Sequence, residues 1–258
     1  MRGNKLATHN GSFTYYQDMI AIIGRGNVAS HLYKALNEKT EVCMVDPHTL
    51  EGLPENPEII LLSVSDNAIE SVAKRLPETN AIIAHTSGSI PMSVLAGNAK
   101  NHGVFYPLQT FTKNQELNYK DIPVFIEGSD KEVIKKLKKI AVLFSEDVRE
   151  ADTITRKKLH LASVFACNFT NALACMAKDF LADSNIDFSV LLPLMHQTIK
   201  KLECISPEAA QTGPAVRNDT KVIESHLQSL ADDDTLHTIY TLMSEYIKEK
   251  SNRPRHLK

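Results

Sequence analysis

The chain has 258 residues, 43% of them hydrophobic and none of them Trp, enough for one large core or two smaller ones. A formal charge of −2 argues against a general polyanion binder, so the basic run 131–139 and the C-terminal KEKSNRPRHLK read as solvated surface and no nucleic-acid partner is expected. Cys43, Cys167, Cys175 and Cys204 form no CxxC pair and have no metal-like His spacing, which predicts buried free thiols, no metal, and a reducing, cytoplasmic compartment.

In chain order, residues 1–18 are polar, lack an apolar signal-like segment and read as a flexible extension. No unbroken apolar run of about 18 residues occurs, so no membrane span is expected. Residues 19–151 alternate short apolar runs with helical patterns. MIAIIG, EVCMVD, EIILLSV, AIIAHTS, GVFYPL, PVFIEG and a short DVREA read as strands. Val28 to Asn37, Asn67 to Arg75, Pro91 to Ala99 and Lys131 to Phe144 read as helices. Continuous apolar strands with intervening helices indicate an α/β fold, a Rossmann-type doubly wound, mostly parallel sheet. From residue 152 strand signals stop. A helical pattern to about 182, then Phe188 to Glu203, Lys221 to Leu230 and Asp234 to Lys248, predict an all-α C-terminal domain, residues 152–258.

The turn GRGNVA joins the first strand to the first helix as G-x-G-x-x-A. Gly24 permits the tight turn, Gly26 lets a pyrophosphate approach the backbone, and Ala29 allows close packing of helix on strand. Arg25, Asn27 and Val28 complete the turn at a helix N-terminus suited to phosphates. Asp46 ends the second strand twenty residues after Gly26, where a carboxylate accepts from the adenosine ribose and favours NAD; Arg25 and His48 nearby would favour a 2′-phosphate, so NAD versus NADP stays open. Asp46 before Pro47 is also a turn former.

Further strand ends carry polar clusters. Ser63, Val64 and Ser65, and then His85 and Ser87, fall where a cofactor ribose and nicotinamide would lie, while helix capping is the competing reading, favoured for Asp66 and Ser89. Tyr106, Gln109 and Thr110 suit a substrate pocket or an interdomain contact. At about 100° per residue, His160, Val164, Cys167, Asn171 and Lys178 share one stripe of the long helix, flanked by Ser163 and Asn168. His160 with Ser163 is the compact pair able to pass a proton, and interhelical hydrogen bonding is the competing role. Arg217 in TGPAVRND is able to clamp a substrate carboxylate or to pair with Asp219.

IGRGNVASHL, HTSGS, YPLQTF, FACNFTN and TGPAVRND together resemble the Rossmann-like oxidoreductases related to pyrroline-5-carboxylate reductase and the 6-phosphogluconate and β-hydroxyacid dehydrogenases. More closely, they resemble a bacterial branch of NADP oxidoreductases with a C-terminal helical domain of unknown function. The resemblance implies an N-terminal NAD(P) domain, a helical domain that makes a homodimer, and an active site in the cleft between them for a small-molecule substrate: a carbonyl, imine or hydroxy acid. One departure stands out. β-Hydroxyacid dehydrogenases carry a catalytic lysine on the first long helix with an asparagine one turn on, whereas this chain has His160, Ser163 and Val164 there. A non-catalytic NAD(P)-binding sensor is therefore the alternative to an enzyme.

Overall fold

The computed structural model describes residues 19–252; the expected extension, 1–18, lies outside them. The chain divides into two compact units, one ending at Asn168 and the other beginning at Phe169.

The first unit is built on a seven-stranded sheet. Its strands are β1 (Ile20–Ile23), β2 (Val42–Val45), β3 (Ile59–Leu62), β4 (Ile82–His85), β5 (His102–Pro107), β6 (Val124–Gly128) and β7 (Val148–Glu150), in the order β2-β1-β3-β4-β5-β6-β7. All neighbours are parallel except β5 and β6. Every residue of β1, β3 and β4 is buried, because helices cover both faces and leave no polar side to a strand. The period of two sorts β1 accordingly. Ile20 and Ile22 join Leu32 and Leu36 of α1 (Asn27–Leu36) and Leu137 and Phe144 of α3 (Lys131–Phe144), whereas Ala21 and Ile23 join Ile69 and Val72 of α2 (Ile69–Ala73). Asp130 fixes the start of α3 by accepting from the amides of Glu132 and Val133. The chain leaves β1 for β2 on one side, and β3 then adds on the other. The connections that leave the carboxyl ends of the adjacent strands β1 and β3 therefore run to opposite sides and open a crevice beyond them, the usual ligand position in such sheets.

Two expected helices are shorter than their patterns. Residues 66–73 open as a single 3₁₀ turn, Asp66–Ala68, before α2, and 91–99 contain only the 3₁₀ turn Met92–Leu95. Pro91 and Gly97 bracket the latter and leave too few good helix formers to propagate an α-helix.

Helix α4 (Thr153–Ser163) starts where strand signals end, capped by Asp152 on the Thr155 amide, yet the first unit extends to Asn168. The reason is polar: Thr153 and Arg156 are bonded into the sheet's loops. A π-helical turn, Val164–Phe169, follows. It holds more residues per turn than an α-helix, so the stripe expected from His160 through Cys167 to Lys178 does not persist through it.

The second unit contains α5 (Thr170–Phe180), α6 (Leu192–Leu202), α7 (Pro207–Ala210), α8 (Thr220–Ser229) and α9 (Asp234–Asn252). Asp219 caps α8 on the Val222 amide after a turn in which Gly213 has φ +111°. Large apolar side chains stand exposed along this unit, among them Phe180, Leu194 and Ile199. This also corrects the expectation of buried thiols: all four cysteines are free, but Cys175 and Cys204 are exposed and Cys43 and Cys167 half-buried. A second correction concerns length. Thr153–Ser184 forms one 32-residue helix whose most apolar 18-residue window has mean hydropathy 1.3, long and apolar enough to cross a membrane by those two measures, because interspersed polar residues do not cancel the average.

Candidate functional site

The two glycines of the first turn do different work. Gly24 has φ +143°, and a β-carbon there would lie 2.1 Å from the Ser63 carbonyl oxygen, so the end of β1 touches the end of β3 only because residue 24 is glycine. Ala29 is fully buried beside it. Gly26 has an ordinary φ of −77°, and a β-carbon there would meet nothing within 4 Å. Neither backbone strain nor packing asks for glycine at 26. What a side chain would occupy is the open space before the N-terminus of α1, which has no capping side chain and no acidic residue in its first turn. Asn27 instead turns its amide to the Phe111 carbonyl at 2.7 Å.

A cavity of about 700 Å³ lies along these strand ends, within the first unit. Among residues expected at a site, it is lined by Gly24, Arg25, Gly26, Asn27, Val28, Ser63, Val64, Ser65, Ser87, Tyr106 and His160. Arg75, Asp66, Thr86 and Gly88 line it as well, and sequence reasoning gave them no such role. From the end of β2 to the end of β5 it spans four strand spacings, about 19 Å.

At the β2 end, Asp46 Oδ1 accepts from the amides of His48 at 2.7 Å and Thr49 at 3.0 Å, closing the turn before it can serve a ligand, and Oδ2 pairs with Arg25 Nη2 at 2.8 Å. Those two amides, more than the guanidinium, hold its carboxyl below the usual range. Asp46 is absent from the cavity lining, while Pro47, His48 and Arg75 face it.

In the middle, Asp66 and Ser89 cap nothing. Ser89 donates its hydroxyl to Asp66, and Ser87 Oγ accepts from the amides of Ser89 and Ile90, both at 3.1 Å. His85 lies beneath this loop rather than in the cavity: it is fully buried, and its Nδ1 accepts from the Ser87 amide at 3.2 Å. Burial, reinforced by the Arg156 charge, lowers its pKa to about 4. It is a neutral strut for the HTSGS loop.

At the β5 end, Tyr106 Oη and His160 Nδ1 are 3.2 Å apart. Both rings rest on Gly88, where a β-carbon would come within 2.7 Å of each. Glycine in HTSGS is thus what admits the pair. Burial raises the Tyr106 pKa; the Ser163 hydroxyl and the Arg156 charge oppose the shift, and Asp66 adds to it.

The helix carrying His160 is held by Arg156, which has no exposed surface. Its guanidinium donates to the carbonyls of Ser87 at 2.9 Å and Ile90 at 2.7 Å, to Glu127 Oε2 at 3.0 Å and to Thr153 Oγ1 at 3.2 Å. Glu127 in turn accepts from the Thr153 amide and hydroxyl, each at 2.9 Å. Sequence reasoning missed this node. A glutamate closing the otherwise apolar strand of PVFIEG was the available signal.

Four other expected residues do not line the cavity, although the Ser163 hydroxyl bonds Tyr106 beside it. Ser163 back-bonds to the His160 carbonyl at 2.7 Å, Asn168 is exposed in the π-turn, and Gln109 is exposed and bonds the Thr110 amide. Arg217 is exposed in the second unit.

A family model described as a domain of unknown function, DUF2520, matches residues 122–247. The "putative NADP oxidoreductase" of Bacteroides fragilis is 38% identical, with TM-score 0.83 over 91% of this chain and 100% of its own. A Thermotoga maritima protein at 21% identity (TM-score 0.75; 91% of this chain, 100% of its own) shares the fold. So does an Aspergillus terreus reductive aminase, solved with NADPH and ethyl levulinate, at 10% identity (TM-score 0.67; 90% and 94%). Searching curated proteins gave no significant match.

Proposed function

We propose, from the premise that this chain belongs to the Rossmann-type NADP oxidoreductase family of its Bacteroides fragilis relative, that it is an NAD(P)-dependent oxidoreductase acting on a small carbonyl, imine or hydroxy acid. The observation that carries the reading is one cavity with an uncapped helix N-terminus and an open Gly26 in its floor and a Tyr–His pair at its far end. The space before Gly26 fits a pyrophosphate, which the first-turn amides of α1 would hold. Ser63, Val64 and Ser65 would border the ribose, and Thr86, Ser87 and Gly88 leave room beside it for a flat ring. When bound, the nicotinamide supplies or takes the hydride.

The chain's own part in reduction is to deliver a proton to the substrate oxygen or nitrogen as its carbon gains hydride. Tyr106 suits the contact position because burial keeps its phenol protonated. It passes its proton outward and recovers one from His160 across the 3.2 Å contact, so no phenolate accumulates. Oxidation runs the relay in reverse. His160 thus takes the place expected of a lysine in related dehydrogenases.

We propose also that the unit from Phe169 associates with a second copy of the chain, which would cover its exposed apolar side chains. The four free thiols suit a reducing, cytoplasmic setting.

Cofactor binding by calorimetry and cofactor oxidation against a panel of carbonyls and imines test the reading together. Gly26→Val is expected to fold normally and bind no dinucleotide, whereas Gly24→Ala is expected to fail in folding, since its β-carbon meets the Ser63 backbone. His160→Ala and Tyr106→Phe should lower turnover by roughly 10²- to 10⁴-fold with cofactor affinity nearly unchanged. Turnover retained by folded His160→Ala would overturn the relay; tight binding by the wild type with no turnover on any substrate would favour a sensor.

A further inference from the structure

We propose that Arg156 is a positioning residue for the Tyr106–His160 pair: its guanidinium, seated on Glu127, fixes the first turns of α4 against the HTSGS loop and so sets the gap across which the proton passes. The inference rests on the relay reading above and adds to it the group that holds the relay's geometry.

The two rings of the pair stand on different elements. Tyr106 belongs to β5, where it lies opposite Phe125 of β6, and the ladder sets its place. His160 belongs to α4, and side chains set the place of that helix. Arg156 lies one turn before His160 on the same face, about 6 Å along the axis. On the sheet side it pairs with Glu127, which stands opposite Val104, two residues before Tyr106 on β5. On the loop side it donates to the carbonyls of Ser87 and Ile90, which bracket Gly88, the residue on which both rings rest. Thr153 continues the seam, its Oγ1 accepting from the Met92 amide at 3.3 Å. One planar fork thus joins the strand beside Tyr106, the loop beneath the rings and the helix carrying His160.

Stability alone does not call for this arrangement. A buried ion pair is commonly matched or bettered by apolar side chains of the same volume. This one also leaves the buried Arg156 Nε without an acceptor among the described residues, which is a cost of its own. What apolar packing lacks is direction, and a guanidinium supplies it, because N–H groups held in one plane fix the angles between the elements they join. Its charge acts to the same end on Tyr106, opposing the effect of burial and so easing loss of the phenolic proton.

Two variants separate positioning from stability. Arg156→Lys keeps the charge and loses the fork, and Arg156→Met combined with Glu127→Gln removes both charges together, so that no uncompensated carboxylate is left to unfold the chain. Turnover is measured per folded molecule in ordinary and heavy water, and cofactor affinity by calorimetry. Both variants are expected to lose roughly 10- to 100-fold in kcat, as a small misplacement of reacting groups does, with cofactor affinity changed by less than about threefold. The solvent isotope effect on kcat should rise, because proton transfer becomes the slow step. A kcat within about threefold of wild type in both variants, or a loss with an unchanged isotope effect, overturns the proposal. A second readout does not need turnover: the His160 ring resonances in histidine-labelled protein, assigned with His160→Ala. Tyr106→Phe is expected to shift them in the wild-type background and to leave them unmoved in the Arg156→Lys background, whereas an equal shift in both overturns the positioning role. Should the wild type turn over no substrate, the oxidoreductase reading is the one that fails, and the resonances alone decide for or against Arg156.

Discussion

The unit ending at Asn168 covers both faces of its sheet and leaves large apolar side chains bare at Val142 and, on its last helix, at Ile154, Leu161 and Phe165, whereas the unit beginning at Phe169 leaves most of its apolar surface bare. In the first, β1, β3 and β4 are buried along their whole length, between one cluster with α1 and α3 and another with α2. In the second, the buried apolar residues among those described are Ala215 and Ile223, while Leu194 is 66% exposed and Phe180 58%. The difference follows from connectivity. A parallel strand must return through a crossover, so the helices that shield the sheet are encoded between its strands. Amphipathic helices in series carry no such guarantee, and those of the second unit keep apolar faces that a single chain leaves bare. The first unit can therefore hold a site rigidly by itself, and the second calls for cover.

The largest expected effect comes from withholding that cover. Light scattering should show a dimer at micromolar concentration, and Leu194→Glu should dissociate it and lower its helical circular dichroism, since each such side chain buried is worth about 1.5–3 kcal/mol. A wild-type monomer whose second unit resists proteolysis would break the comparison. Flotation of the wild type with lipid vesicles would break it differently, by assigning the long apolar helix to a membrane; against that, Arg156 embeds the start of this helix in a polar network.

Next in size is that network. Arg156→Met leaves Glu127 without its cation and is expected to cost about 3–5 kcal/mol in denaturant unfolding of the first unit. Adding Glu127→Gln should recover part of the loss, because the uncompensated charge is then gone. A cost below about 1 kcal/mol would mean that the first unit does not depend on this pair.

A smaller effect concerns acid. His85 titrates near 4 when folded and near 6.5 when unfolded, so between those values the unfolded chain binds a proton that the folded chain does not. Stability from this group is complete above about pH 6.5, falls on acidification through that window by roughly 3 kcal/mol, and changes no further below about 4. His85→Asn keeps an acceptor for the Ser87 amide and removes the titration. Its melting temperature should fall less than that of the wild type between pH 7 and pH 4.5; parallel curves would show that His85 does not remain neutral in the folded protein.

Much of the first unit was legible in the sequence because its signals are local. Four-residue apolar runs mark buried strands, and Gly24, Gly26 and Ala29 mark a turn whose function depends on the smallness of single residues. The cavity's far end was half legible: Tyr106 and His160 each stood out, but their meeting depends on Gly88, which reads as an ordinary turn residue. Arg75 and Arg156 were not legible at all. An arginine on a helical pattern looks solvated, and most of their partners are backbone carbonyls, which every residue possesses. The π-turn escaped for a related reason, since a reading at 100° per residue presumes the regularity it would need to test.

Arg156 bonds groups 69, 66 and 29 residues away along the chain. Contacts spanning such loops form only after the intervening strands have found their neighbours, so the guanidinium locks in late during assembly. Its contribution is then absent from the transition state and governs escape from the folded form. The residue thus acts as a latch in time, setting how long the cavity, once formed, stays formed.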